Sequence, residues 1–178
     1  MECSSMINMN ATVKIEVTES DNHEHRYVLK KVWDVKKPMA TVITLYPGKA
    51  DLIVSDTTQM LVTNQLYTKG FGGFFSVNLY SKIGIADSMN KNFKQASNNE
   101  NDKLILECAK ESRQIIFAWG SLPQKNRIVK ERVEKLIEKL NKEKKKCFIL
   151  SDEQSSKYYH PLTGKVRIKW NLLPFRDE

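Results

Sequence analysis

A chain of 178 residues with 40% hydrophobic and 28% charged residues has the length and composition of a folded globule with a real core. No apolar stretch approaches the roughly 20 residues that span a bilayer, the start lacks the pattern of a secretory signal, and three widely spaced cysteines without a Cys-x-x-Cys argue against a disulfide framework or a zinc site. The expectation is a cytoplasmic protein without metal or cofactor, in which Cys108 and Cys147 are small core residues; the net charge of +8 leaves nucleic acid open as a partner.

Residues 1–10 read as a frayed terminus and 11–178 as a single α/β domain. Thr12–Thr18 alternates apolar and polar residues, and Arg26–Trp33 resumes the alternation after a polar turn, which predicts an antiparallel hairpin. Four short apolar runs follow: Met39–Leu45, Phe74–Val77, Ile115–Ala118 and Cys147–Leu150. Helical patterns separate them, so they read as strands of a parallel sheet covered on both faces, with right-handed crossovers. The first helix starts near an Asp56 or Thr57 cap and ends by Gly70. The second begins around Ala86, is interrupted at Ser97–Asn101, and resumes with Leu104, Ile105, Cys108 and Ala109 on one face. Residues 125–146 hold ten Lys or Arg and four Glu, carrying six of the eight net positive charges. Val129, Val133, Leu136, Ile137 and Leu140 give this segment an apolar helical face, and Glu131–Lys135 and Glu138–Lys142 are expected i,i+4 pairs. Its basic end, Lys144, Lys145 and Lys146, reads either as a complement to the helix dipole or as a patch facing phosphates. Lys165–Phe175 is an edge strand or a wrap over the sheet. The predicted architecture is a three-layer α/β/α sandwich around a mainly parallel four-stranded sheet, with the hairpin added.

Each apolar run leads into a polar cluster, and in open sheets of this kind ligands bind beyond the carboxyl ends of the strands. Tyr46-Pro47-Gly48-Lys49-Ala50-Asp51 lacks the pattern of a Walker loop. Its Asp51 reads as a general base or a turn former, Asp56 as a helix cap or a water-orienting group, and Lys49 as a phosphate contact. Asn78 offers an amide that reads a nucleobase edge or binds exposed backbone at a strand end. Phe71 is a stacking ring or a core residue. Trp119 and Gly120 end the third run, with Ser121 and Lys125 beyond them on the side of a nucleic-acid backbone. His160, held by Pro161, suits a fixed hydrogen-bond donor or acid.

Arg26, Tyr46–Asp51, Asp56-Thr57-Thr58, Gly72-Gly73-Phe74, Asn78-Leu79, Asn101-Asp102, Ala118-Trp119-Gly120 and His160-Pro161-Leu162 occur in the order that resembles the bacterial family catalogued as domain of unknown function 1643. The same order is similar to the uracil-DNA glycosylase superfamily, with Trp119-Gly120-Ser121-Leu122-Pro123-Gln124-Lys125 and His160-Pro161-Leu162 the closest elements. That resemblance implies a protein that binds DNA, a nucleobase or a nucleotide and hydrolyses an N-glycosidic bond of a modified base. Asp51 would be the base, Asn78 and His160 would hold the nucleobase, and Tyr46, Phe71, Trp119 and Gly120 would enclose it. The first loop departs from the glycosylase pattern: Tyr46 stands where Asp or Asn precedes the Pro, and a phenol with a pKa of about 10 cannot activate water near neutral pH. Two alternatives therefore stand beside the enzyme: an inactive DNA-binding module on the same scaffold, and a protein-interaction factor.

Overall fold

The computed structural model describes residues 6–85, 93–152 and 157–176, apart from the side chains of Lys94, Asn141 and Lys145. In chain order the elements are β1 (Lys14–Glu19), β2 (Arg26–Val32), β3 (Met39–Thr44), α1 (Thr57–Thr68), β4 (Gly73–Asn78), α2 (Asn99–Glu111), β5 (Gln114–Phe117), α3 (Arg127–Lys139), β6 (Cys147–Ser151) and β7 (Asn171–Pro174). They form one seven-stranded sheet in the order β1-β2-β4-β3-β5-β6-β7. The β3–β4, β3–β5 and β5–β6 pairings are parallel, whereas β1–β2, β2–β4 and β6–β7 are antiparallel. The parallel centre is therefore the four apolar runs, flanked by the hairpin on one side and the tail strand on the other.

Period-two alternation sorts the parallel strands between two apolar layers. Ile43, Val77, Ile115, Phe117 and Ile149 pack with Ile105 and Ala109 of α2 and with Val129, Val133 and Leu136 of α3. Ala40, Val42, Phe74, Ile116, Ala118 and Leu150 face the other way, onto Val62 and Leu66 of α1 and onto Val166 and Trp170 before β7. Each large side chain withdrawn from water here contributes roughly 1.5–3 kcal/mol. Cys108 and Cys147 are buried free thiols, and burial, reinforced by the nearby charges of Glu111 and Glu107, pushes the Cys108 thiol up to about 12.

Local signals explain the helix ends. The Asp56 side chain caps α1, and Gly70 follows it at φ 81°, where a side chain would be strained. Asn98 caps α2 by accepting from the Asn101 N–H at 3.0 Å, so Ser97–Asn101 begins that helix rather than interrupting it. The start expected near Ala86 lies outside the described residues. Asn126 caps α3, which ends at Lys139; Asn141–Lys146 is a run of 3-10 helix. Among the described residues the i,i+4 ion pairs within α3 are Arg127–Glu131 and Lys130–Glu134, in place of the expected Glu131–Lys135 and Glu138–Lys142. Both readings of the tail hold, since Asn171–Pro174 is an edge strand and Val166 and Trp170 cover the sheet before it. Among the described residues no helix is long and apolar enough to cross a membrane.

Candidate functional site

Beyond the carboxyl ends of β3, β4 and β5 lies a cleft of about 1050 Å³. The β3–α1 loop, the first turn of α1, the Trp119–Lys125 segment and the loop Lys157–Lys165 supply its walls. Because β2 runs antiparallel to β4, its first residue, Arg26, also reaches this end of the sheet, with its N–H bonded to the Ser81 carbonyl at 2.9 Å.

The floor is polar. Thr44 and Asn78 are register partners on β3 and β4, and the Thr44 hydroxyl donates to Asn78 Oδ1 at 2.7 Å. This fixes the amide and leaves Asn78 Nδ2 without an acceptor among the described residues. The main chain of Asn78 is held from behind by Asn101, whose Nδ2 donates to its carbonyl at 3.0 Å. Two residues earlier on the same strand face, Ser76 Oγ accepts from Gln59 Nε2 at 2.8 Å. Gln59 Oε1 is buried without a partner, and an orphaned acceptor of this kind costs about 1–3 kcal/mol. Both amides line the cleft.

The α1 wall carries Asp56, whose Oδ1 accepts from the Gln59 N–H at 2.8 Å and whose Oδ2 accepts from the Ala50 N–H at 3.3 Å. A Cβ on Gly48 would collide with this carboxylate, so the loop needs glycine there. Opposite stands His160. Its Nδ1 accepts from the Leu162 N–H at 3.2 Å, which puts the proton of the neutral ring on Nε2. Burial pushes the imidazole below its usual 6.5, with the charge of Asp56 pulling the other way. Gly120, at φ 77°, lets the His160 loop close in: a Cβ there would lie 3.4 Å from His160 Cβ.

Tyr46, Lys49, Asn78, Trp119, Gly120, Ser121, Lys125 and His160 all line this one cleft, as the order of clusters along the chain suggested. Trp119 is 3% exposed, stacked on Phe117 at 4.4 Å and on Tyr158 at 5.7 Å, so it supports the wall rather than offering a free face. Five expected positions lie elsewhere. Asp51 is exposed and outside the cleft lining, because its Oδ1 accepts from the N–H groups of Ile53 and Val54 at 2.8 and 2.7 Å. These bonds, Val54 first, hold its pKa below the usual 3.8; it stabilises its own turn, and Asp56 is the cleft carboxylate. Phe71 is buried at the opposite, amino end of β4, packed in the α1-side core. Lys144 and Lys146 belong to the 3-10 run that enters β6, again at the amino end of the sheet, and Lys146 pairs with Glu143 at 2.6 Å. The backbone of Lys145 lies in the same run. Helix polarity explains this: a segment that returns to start a parallel strand ends at the rim opposite the cleft.

Arg26, Thr44, Gln59 and Ser76 were not singled out as ligand contacts. Thr44 and Ser76 carried a usable signal, as polar residues within apolar runs on the face that also bears Asn78.

A mixed α/β protein with a polar cleft at the carboxyl ends of a parallel sheet core is the class that fold and site define. The chain belongs to the family described as Protein of unknown function (DUF1643), which it matches over residues 26–162. No curated protein matches it. Among solved structures, carboxyl esterase 2 from the mycorrhizal fungus Tuber melanosporum is similar at 12% identity and a TM-score of 0.31, over 65% of this chain and 37% of the esterase chain. The match thus spans little more than a third of that enzyme, and a likeness this slight carries no argument about fold or chemistry. Nothing among these matches extends the resemblance to uracil-DNA glycosylases.

Proposed function

We propose that the cleft binds a nucleobase or nucleotide, free or extruded from nucleic acid, as in a uracil-DNA-glycosylase-like protein. The observation that carries this reading is the fixed amide on the floor: Thr44 holds Asn78 Oδ1, which leaves Asn78 Nδ2 as an open donor in the cleft lining. A base edge bearing a carbonyl offers the complementary acceptor, and His160 Nε2–H can donate to a second carbonyl. Hydrolysis of an N-glycosidic bond, if the protein turns over, falls to Asp56 rather than Asp51 as the group beside the attacking water. The test is calorimetric titration with nucleobases and nucleosides, joined to cleavage assays on DNA carrying altered bases. Asn78→Ala is expected to weaken binding about tenfold or more, the loss of one well-placed polar contact in a closed site. Equal affinity in wild type and Asn78→Ala would remove the reading. Cleavage that survives Asp56→Asn would remove the catalytic part alone.

The inactive nucleic-acid-binding module is the second reading, and Lys49, Lys125, Lys157 and Lys165 around the rim favour it. It predicts affinity for DNA that falls steeply with salt and weakens in Lys49→Ala/Lys125→Ala more than in Lys144→Ala/Lys146→Ala. A salt-independent binding constant would exclude it.

A further inference from the structure

We propose that Arg26 is an anion subsite in the wall of the cleft, built to take a phosphate of the ligand. Only 5% of Arg26 is exposed. Of its five N–H donors one is used, by Nη1 on the Ala50 carbonyl. It forms no ion pair among the described residues, and Asp56, Glu19 and Asp51 act on it only at longer range. A guanidinium withdrawn from water without a paired carboxylate is destabilising. A Met of similar length would fill the space without that cost. The donors left over are the planar fork that matches an oxyanion with two parallel hydrogen bonds.

The surroundings fit the same occupant. Thr57 and Thr58, the first helical residues of α1, line the cleft beside Arg26. The Asp56 side chain engages the Gln59 N–H, so the first two N–H groups of the helix are left to an acceptor from the cleft. Lys49 lies on the same wall. Asp56 bounds the subsite with a negative charge, which these cations and helix N–H groups offset. A phosphate at Arg26 and a base on Asn78 would share one ligand, so the inference rests on the nucleotide reading and narrows it to phosphorylated ligands.

The experiment titrates wild type and Arg26→Gln with the common nucleosides, their 5′-monophosphates, a short oligonucleotide and inorganic phosphate alone. In wild type the monophosphates are expected to bind about tenfold tighter than the nucleosides, and in Arg26→Gln that ratio collapses towards one. Nucleosides that bind wild type as tightly as their monophosphates would overturn the subsite and leave the nucleobase reading standing. Inorganic phosphate that binds wild type but not Arg26→Gln, without binding of any nucleoside, would uphold the subsite and sink the nucleobase reading. Phosphate affinity equal in the two proteins would overturn the subsite. Preference for the oligonucleotide over the monophosphate would place a backbone phosphate, rather than a free one, at Arg26 and uphold it. Should Arg26→Gln fail to fold, Arg26→Lys keeps the charge and loses the fork; the proposal then requires a smaller phosphate-dependent rise in melting temperature than wild type shows, and an equal rise overturns it.

Discussion

Two arginines sit partly or wholly out of water in this molecule, and they are satisfied in opposite ways. Arg132, on α3, spends three of its five donors and meets a carboxylate: Nε on the Leu79 carbonyl at 3.0 Å, and Nη2 on Ser97 Oγ at 3.3 Å and on Asp102 Oδ1. Lys139 closes the same cluster on Asp102 Oδ2. This network ties α2 and α3 to the end of β4, just behind Asn78. Arg26, at the mouth of the sheet, has one carbonyl and no carboxylate. Where the role is structural, the protein supplies the counter-ion itself; at Arg26 the donors are left open beside a cleft, and the proposed phosphate would supply the missing acceptor.

The sharpest way to break this contrast is to remove each charge in turn. Arg132→Met strands Asp102 with Lys139 alone, and is expected to cost about 3 kcal/mol in urea unfolding. Arg26→Met is expected to leave unfolding stability unchanged or raise it, because a poorly compensated buried charge gives way to an apolar chain of similar length. Equal losses at the two sites would erase the distinction. Acid resolves the Arg132 cluster further. Burial raises the pKa of Asp102, but hydrogen bonds from Arg132 and Lys139 outweigh it and hold the carboxyl below 3.8. Its contribution is therefore complete above the unfolded value and is lost as pH falls through 3.8 towards the folded one. Asp102→Asn should flatten that part of the stability profile.

Smaller effects test the cleft end. Gly120→Ala places a side chain at φ 77° against His160, at an expected cost of about 1 kcal/mol in melting experiments. The smallest concerns His160. Its folded pKa lies below the ordinary 6.5, so the unfolded chain takes up the proton first. Stability should be level above about pH 7, fall as pH drops through 6.5, and level again below the folded value. His160→Gln should remove that slope in melting temperatures recorded from about pH 8 to about pH 5; an unchanged slope would place the titrating group elsewhere.

The parallel core was legible because its strands are apolar on both faces and its helices carry strong end signals, as at Asp56 and Gly70. The hairpin was legible from alternation. The helix start at Asn98 was hidden because Ser97–Asn101 looks like a break in a pattern, although Asn98 caps the Asn101 N–H and Ser97 Oγ accepts from the Asn101 side chain. Within the site, Tyr46, Asn78, Trp119 and Gly120 fell at strand ends and His160 in the loop beyond the last parallel strand, where position along the chain already says which rim they occupy. Asp51 and Asp56 could not be ranked that way: five residues apart in one loop, they are separated by which N–H groups each carboxylate captures, and only the folded loop decides that. Phe71 and Lys144–Lys146 adjoin the same strands at their amino ends, so closeness in sequence placed them near the site while strand direction removed them from it.

The two outermost strands, β1 and β7, fall outside residues 26–162. Each covers the hydrogen-bonding edge of a strand within that segment, β2 on one side and β6 on the other. β7 ends in Pro174 and β1 carries Lys14 and Glu16, residue types that discourage further strand addition. A fragment trimmed to residues 26–162 would thus bare two long unsatisfied ribbons of N–H and C=O groups, and self-association through them would follow.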